Sequence, residues 1–77
     1  MATGFVLITT QAGQEIAVRD AVRKIENVTG QWIVFGLHDL FVKVEAEDEA
    51  ELTRCIVKDV RSIAGIAETR TLIGAEI

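Results

Sequence analysis

The sequence predicts a single small α+β domain whose elements follow the order β-α-β-β-α-β. Two apolar patterns alternate along the 77 residues: short runs rich in β-branched and aromatic residues, and two longer stripes at helical spacing. Glycines punctuate these segments. Hydrophobic residues make up 49% of the chain, which is too apolar for a disordered segment. The length allows one domain, covering residues 1–77.

The first half of the chain begins with a predicted strand and a predicted helix. Residues 5–10 are β-branched, aromatic or otherwise apolar, and the run ends before Gly13. From about Gln14, apolar residues recur at i, i+3, i+4 and i+7 with charged residues between them, as on one face of an amphipathic helix. These residues are Val18, Ala21, Val22 and Ile25. Asn27 and Gly30 mark the end of this segment.

A hairpin is predicted in the middle of the chain. Residues 31–35 form the second apolar strand, and residues 40–45 form the third. Only residues 36–39 connect them, and this short connection begins with glycine. Such a connection joins neighbouring antiparallel strands.

The second helix and the last strand complete the order. Asp48 is a predicted N-cap, and Glu51 three residues later completes a capping box. The apolar stripe of this helix comprises Leu52, Ile56, Val60 and Ile63. Residues 67–73 form the fourth strand, which ends at Gly74.

The two halves of the chain repeat one another. The Val-Arg-Lys-Ile segment at residues 22–25 corresponds to Val-Arg-Ser-Ile at residues 60–63. Two tandem β-α-β units of this kind are typical of the ferredoxin-like arrangement. Right-handed crossovers then place both helices on one face of a four-stranded antiparallel sheet.

The other face of the sheet is expected to be an interface, because both sides of the predicted strands carry large apolar residues. An exposed apolar patch of this size marks an association surface. We therefore expect a dimeric α+β barrel, formed when two sheets pack face to face. The residues predicted to form this dimer interface are Val6, Ile8, Trp32, Val34, Leu40 and Val42.

Charge and length exclude several functions. The formal net charge is −4 and there is no run of Lys or Arg, which argues against direct nucleic-acid binding. The longest uninterrupted apolar runs have four residues, too few to span a membrane. The single cysteine, Cys55, is expected to be a buried structural thiol in a reducing compartment, so a cytoplasmic location is predicted.

Few residues suggest chemistry. One histidine and one cysteine do not make a zinc site or a catalytic pair, and the sequence predicts no cofactor. The Gly36, His38 and Asp39 connection has two interpretations: ordinary turn chemistry, or a small-molecule site in which Asp39 receives a cation. Thr69 and Thr71 share one face of the last strand, where they either reflect β-propensity or hydrogen-bond a ligand.

Two segments resemble one known family. Residues 34–44 resemble the "V-x-G-x-[YH]-D-[LY]-x-[VL]-K-V" signature of the Lrp/AsnC regulators, and residues 63–71 resemble their "I-P-G-V-x-x-T-x-T" ending. The departures are Ala64 in place of the common proline and His38 in place of the commoner tyrosine. The resemblance covers nearly the whole chain, but only the C-terminal effector domain of the family, often called the RAM domain.

The resemblance implies a non-catalytic module for transcriptional regulation of amino-acid metabolism. It implies a homodimer that assembles into rings of dimers and binds an amino-acid effector where dimers meet. Carried over by position, Gly36, His38 and Asp39 would line that site, with Thr69 and Thr71 contributing from the last strand. Full regulators also carry an N-terminal helix-turn-helix domain. Because only four residues precede Phe5, a stand-alone effector domain is expected, which could associate with full-length relatives.

Three alternatives stay open at this point. One is a small dimeric α+β barrel enzyme, similar to monooxygenases or isomerases, with His38 as its acid-base group. Another is a pure oligomerisation module that binds no ligand. An amino-acid sensor of the ACT type has the same strand order, but the glycine-rich first loop of that type is not evident at residues 10–13.

Overall fold

The computed structural model describes residues 1–73 and has the predicted α+β order. Its elements are β1 (Ala2–Thr10), α1 (Glu15–Arg23), β2 (Val28–Ile33), β3 (Leu40–Ala46), α2 (Glu49–Arg54), a π-helical continuation of α2 (Cys55–Val60) and β4 (Ile66–Ile73). The four strands form one antiparallel sheet in the order β2-β3-β1-β4. The ferredoxin-like prediction is therefore confirmed. The predicted end of the last strand at Gly74 lies outside the described residues.

Both helical segments pack on the same face of the sheet. Val18 and Val22 of α1 join Leu52, Cys55 and the other buried residues of the second helical segment in a single core cluster. The sheet supplies the alternate residues of its two central strands, namely Val6, Ile8, Leu40, Val42, Val44 and Ala46. Side chains on a strand alternate between faces, so the residues between these ones lie on the uncovered face.

The dimer-interface prediction is wrong for four of its six residues. Val6, Ile8 and Val42 are fully buried beneath the helices, and Leu40 is 2% exposed. The sequence left the two faces hard to distinguish because both sides of β1 are apolar. Trp32 does lie on the uncovered face, since it pairs across strands with Phe41. Val34 lies beyond the end of β2 and is half-buried there.

We use the name open face for the uncovered side of the sheet. Its apolar centre comprises Phe5, Leu7, Trp32, Phe41 and Leu72, as the strand pairing and aromatic contacts establish. The rings of Phe5 and Phe41 stack with centroids 5.2 Å apart, and Trp32 lies 5.8 Å from Phe41. Lys43 and Glu45 flank this centre and form an ion pair at 3.1 Å.

Strand β2 lies earlier in the chain than predicted, at Val28–Ile33 instead of residues 31–35. The pairing with β3 shifts register between Val28 and Gly30, so the strand accommodates a bulge. A side chain at Gly30 would meet the Trp32 ring, because a Cβ there would lie 2.6 Å from the indole. Gly30 is thus part of the strand and allows Trp32 to fold back over it, whereas the sequence suggested a stop.

The second helical segment changes its hydrogen bonding partway along. Asp48 caps α2 as predicted, because its side chain accepts a hydrogen bond from the Glu51 N–H at 2.8 Å. Beyond Arg54 the segment widens into a π-helix, in which the Arg61 N–H donates to the Ile56 carbonyl five residues back. Within residues 1–73, no helix is long and apolar enough to cross a membrane.

Candidate functional site

The hairpin connection is tied to the end of β1 by main-chain and side-chain hydrogen bonds. The Asp39 N–H donates to the Ile8 carbonyl at 2.8 Å, and the Thr9 hydroxyl donates to the Leu37 carbonyl at 3.1 Å. Across the hairpin, the Val34 N–H donates to the Asp39 carbonyl at 3.0 Å. These bonds hold the loop in one place relative to the sheet.

The Asp39 carboxylate completes this attachment. One of its oxygens, Oδ2, accepts from the Thr10 main-chain N–H at 2.8 Å and from the Thr10 hydroxyl at 3.0 Å. Thr10 is buried, so the carboxylate satisfies polar groups that water does not reach freely. Gly36 has a φ of 129°, a conformation that favours glycine. Gly36 and Asp39 therefore have the roles expected of turn residues, and the small-molecule interpretation of the loop stays a prediction.

His38 lies against β1 as well. Its Nδ1 is 3.1 Å from the Thr9 hydroxyl oxygen. The same hydroxyl donates to the Leu37 carbonyl, so one side chain of β1 contacts both Leu37 and His38. His38 therefore lies at the end of the sheet and not between the sheet and the helices. The enzyme alternative requires its acid-base group between the sheet and the helices.

Two of the predicted ligand residues lie apart from the loop. Thr69 pairs with Ile8 from one side of β1, and Leu40, which follows Asp39, pairs with Ile8 from the other. Two strand spacings, about 10 Å, therefore separate Thr69 from the hairpin. Thr71 pairs with Val6 and is farther still. Within one chain, Gly36, His38 and Asp39 come together, and Thr69 and Thr71 do not join them.

Thr71 instead lines a cleft between β4 and the second helical segment, which we call the edge cleft. Its volume is about 200 Å³. The cleft is lined by Ile56, Val57, Ile73, Thr53, Arg61 and Thr71. Thr53 and Arg61 are not among the candidate residues predicted from the sequence. The helical spacing of Thr53, Val57 and Arg61, each four residues from the next, could have indicated that they share a face.

Cys55 is fully buried in the core, as predicted. Burial first, and then the neighbouring Asp59 carboxylate, raise the pKa of the Cys55 thiol to about 11. A thiol in this environment is a weak nucleophile near neutral pH. In the described part of the chain, no group of three or more His, Cys, Asp or Glu side chains is arranged to hold a metal ion.

The order of elements, the one-sided helices and the uncovered apolar face define a small ferredoxin-like domain. The sequence profile of the "Lrp/AsnC ligand binding domain" matches residues 3–76. The chain therefore belongs to the Lrp/AsnC ligand-binding domain family, as its two motifs suggested.

Curated relatives carry regulatory descriptions. An uncharacterised HTH-type transcriptional regulator of Pyrococcus abyssi is 33% identical over 69 residues, which cover 90% of this chain and 44% of the regulator. A regulator of the same description from Pyrococcus horikoshii is 28% identical over 74 residues, which cover 92% of this chain and 49% of that protein. The chain spans about half the length of these relatives.

Solved structures extend the likeness to the whole described fold. A hypothetical protein of Pyrococcus horikoshii has a TM-score of 0.90 at 32% identity, covering 100% of this chain and 93% of its own. A Thermus thermophilus protein has a TM-score of 0.91 at 28% identity, covering 100% and 96%. AsnC of E. coli has the same fold, with a TM-score of 0.89 at 21% identity, and covers 99% of this chain and 52% of its own.

One relative is an enzyme. A homocitrate synthase of Sulfolobus acidocaldarius is 32% identical over 63 residues, which are 82% of this chain but 12% of the enzyme. The likeness is therefore to a small segment of that protein and not to most of it. The relatives that this chain resembles thus include HTH-type transcriptional regulators and an enzyme.

Proposed function

We propose that this chain is a non-catalytic, self-associating module that binds an amino acid and regulates transcription through a separate DNA-binding partner. The observation that carries the proposal is the match of residues 3–76 to the ligand-binding domain family of the Lrp/AsnC regulators. Relatives named as transcriptional regulators support the regulatory part. The amino-acid part rests on the chemistry of the hairpin loop.

The hairpin loop offers partners for both charged groups of an amino acid. The Asp39 carboxylate uses Oδ2 for Thr10, and no side-chain or main-chain donor among residues 1–73 contacts Oδ1. A free carboxylate oxygen suits an ammonium group, and loop amides or the Thr69 and Thr71 hydroxyls suit a carboxylate. A regulator of Neisseria meningitidis with this fold was solved as a complex with L-Met, at a TM-score of 0.80 and 14% identity.

The site requires more than one chain. Gly36, His38 and Asp39 lie at one end of the sheet, and Thr69 and Thr71 lie across β1 from them. A ligand that touches both groups would therefore sit between copies. This is consistent with effector binding where dimers meet, as the family resemblance implies.

The open face supports a homodimer. Trp32 is 50% exposed and Leu72 is 48% exposed, beside the stacked rings of Phe5 and Phe41. Burying each large apolar side chain contributes about 1.5–3 kcal/mol to association before its costs. This centre is flanked by the Lys43–Glu45 ion pair and by the charged residues Arg70 and Glu68, like the polar rim of an interface.

The net charge supports a separate DNA-binding partner. The chain has 8 basic and 12 acidic residues, and a face for phosphate contacts needs an excess of basic ones. Contact with DNA would come from a full-length Lrp/AsnC-type regulator that associates with this chain through the same open face. Association with such a regulator implies that this chain is located in the cytoplasm.

A thermal-shift screen of the twenty amino acids tests ligand binding. At about 100 times its Kd, a ligand adds roughly 2.7 kcal/mol to the free energy of unfolding, so at least one amino acid should raise Tm clearly. If no amino acid does so at millimolar concentration, the module binds no amino acid and self-association alone remains.

The matched variants are Asp39→Asn and Asp39→Ala. The asparagine oxygen still accepts from Thr10, so Asp39→Asn should leave the free energy of unfolding nearly unchanged while it removes the charge that holds an ammonium group. The ligand-induced shift should then be lost in both variants. Asp39→Ala should also destabilise the apo protein by about 1–3 kcal/mol, because the buried Thr10 groups lose their acceptor. A full ligand shift in Asp39→Asn would contradict the proposed site.

A further inference from the structure

A polar groove lies between the two helical segments, on the side of the molecule away from the open face. It is lined by residues 24–27 at the end of α1 and by polar residues of the second helical segment, and its volume is about 480 Å³. We call it the helix groove. Small-molecule sites commonly have volumes of about 300–1,000 Å³, so the size of this groove suits a metabolite.

Three cationic side chains line the helix groove without a carboxylate partner. They are Lys24, Arg54 and Lys58, and the ion pairs formed within residues 1–73 involve other residues. The chain has twelve acidic residues against eight basic ones, so the sequence is not short of carboxylates. Three unpaired cations in one groove of an acidic chain provide a positive surface for an anion.

The positions of Arg54 and Lys58 favour a ligand over a structural role for these charges. The two residues are four apart along one helical segment, a spacing at which like charges repel and destabilise a helix. Lys24 follows α1 directly, where the helix dipole favours a cation, but Arg54 and Lys58 lie inside their segment. A bound anion would offset the repulsion between them.

The backbone of the second helical segment also differs at the groove. Lys58 and Asp59 lie in the π-helical turn Cys55–Val60, and both line the groove. Turns of this kind are rare and occur frequently at functional sites. The π-helical turn is therefore a second observation, independent of charge, that distinguishes this surface from an ordinary solvated helix face.

Hydrogen bonds hold both walls of the groove in place. The Asn27 side-chain Nδ2 donates to the Glu45 carbonyl at 2.9 Å, and the Glu45 N–H donates to the Asn27 carbonyl at 2.9 Å. On the helical side, the Ser62 hydroxyl donates to the Lys58 carbonyl. A ligand that enters an ordered groove loses less affinity to the conformational entropy of its walls.

The other lining groups limit the class of anion. Glu26 and Asp59 lie in the same groove, and the Ser62 hydroxyl has used its proton, so all three groups accept hydrogen bonds. A ligand that suits this lining has an anionic group for the cations and hydroxyl groups for the acceptors. Among the described residues, no aromatic side chain lines the groove, so a nucleobase would have no ring on which to stack.

We propose that the helix groove binds a polyol phosphate, for example a sugar phosphate. Its phosphate group contacts the cations Lys24, Arg54 and Lys58. A phosphate monoester has a charge of about −1.5 to −2 at pH 7, and Arg and Lys are its usual partners in proteins. The hydroxyl groups of the ligand donate to the Glu26 and Asp59 carboxylates.

The helix groove is separate from the hairpin loop. Residues 24–27 lead into the start of β2, where Val28 pairs with Val44, and Val44 in turn pairs with Gly4 of β1. The hairpin loop is bonded to residues 8–10, at the other end of β1. A polyol phosphate would therefore act as a second signal beside the proposed amino-acid effector, and neither site depends on the other.

Isothermal titration calorimetry of the full chain tests this proposal. The probes are glucose 6-phosphate, ribose 5-phosphate and glycerol 3-phosphate, compared with inorganic phosphate and with glucose at equal ionic strength. We expect at least one polyol phosphate to bind at millimolar concentration, with a Kd at least about tenfold lower than that of inorganic phosphate, because its hydroxyl groups add hydrogen bonds to charged acceptors. Glucose, which has no charge for the cations, should not bind.

Substitutions locate the site. Arg54→Gln and Lys58→Gln should each raise the Kd of the best probe at least about tenfold, because each removes a charged hydrogen-bond donor. Arg61→Gln removes the same charge from the end of the same helical segment but lies at the edge cleft, so it should leave the Kd nearly unchanged. All three positions are exposed, so circular dichroism should show an unchanged fold.

Three results would overturn the proposal. The first is that no polyol phosphate binds more tightly than inorganic phosphate, and the second is an equal loss of binding in Arg61→Gln. The third is a hexaglutamate peptide that binds more tightly than every polyol phosphate, which would indicate an acidic protein partner instead. The amino-acid screen measures the effector site separately, so failure here leaves the proposed function standing.

Discussion

Gly65 allows the second half of the fold to pack closely against the first, because it has no side chain. Its φ is 97°, and its carbonyl accepts from the Gln11 N–H at 2.7 Å. A Cβ here would lie 3.0 Å from the Cβ of Gln14 and 3.1 Å from a methyl group of Val18. The turn before β4 and the start of α1 therefore approach more closely than a side chain permits.

Gly65→Ala should destabilise the protein by more than Gly13→Ala. Both positions have positive φ, which costs alanine about 1–2 kcal/mol, but Gly13 has no atom within 4 Å of the added Cβ. The difference in the free energy of unfolding between the two variants, measured in urea at one protein concentration, isolates the close approach. Equal losses would mean that α1 shifts away freely.

Ionisation of Cys55 should make the free energy of unfolding depend on pH in the alkaline range. Its pKa is about 11 in the folded chain, against 9.0 for an ordinary thiol. Below pH 9 both states hold the proton, so the full stability is present. Between pH 9 and 11 the unfolded chain releases the proton first, and the free energy of unfolding falls by as much as about 2–3 kcal/mol. The free energy of unfolding, measured by urea titration at several pH values in this range, should fall less steeply with pH in Cys55→Ala than in the wild type. An equal pH dependence in the two proteins would contradict the burial of the thiol.

At the scale of elements, the start of α2 depends on Asp48. Its carboxylate accepts from the Glu51 N–H, one of the donors that a helix leaves unpaired at its first turn. Asp48→Ala should lower the free energy of unfolding by about 1 kcal/mol, and Asp48→Asn should retain most of it because asparagine also caps helices. Glu47→Ala, at the exposed neighbouring position, is the control. Chemical denaturation of the four proteins measures these differences.

The elements differ in how far the sequence could predict them. The α1 stripe and the Asp48 cap depend on neighbouring residues only, and local spacing predicted both. The face of β1 depends on which side the helices cover, and alternation alone misassigned Val6 and Ile8. The charges of Lys43 and Glu45 could have identified the uncovered face, because charged residues avoid a core and these two residues lie on the same face as Phe41. The edge cleft joins residues of two distant segments, so the local spacing that groups Arg61 with Thr53 and Val57 could not indicate that β4 lies beside them.

At the scale of the whole molecule, the apolar residues of the sequence divide between the core and three surfaces. The core takes one face of the sheet, and within residues 1–73 three surfaces remain uncovered: the open face, the exposed hairpin residues Phe35 and Leu37, and the edge cleft. A small domain buries a limited fraction of its surface, so association adds stability that its own core does not supply. The open face contains the largest aromatic cluster and is the surface on which a first dimerisation step should depend.

Trp32 reports that step, since it is the only tryptophan of the chain and lies half-exposed on the open face. Its fluorescence should shift to shorter wavelengths as protein concentration rises, because the second sheet removes water from the indole. Phe41→Ser should weaken the transition by at least about thirtyfold in Kd, or roughly 2 kcal/mol, because a two-fold symmetric interface contains the lost ring twice. Ile16→Ser, on α1 and away from the sheet, should leave the curve unchanged. An emission maximum that is independent of concentration, in a protein that light scattering shows to be monomeric, would contradict dimerisation through this face.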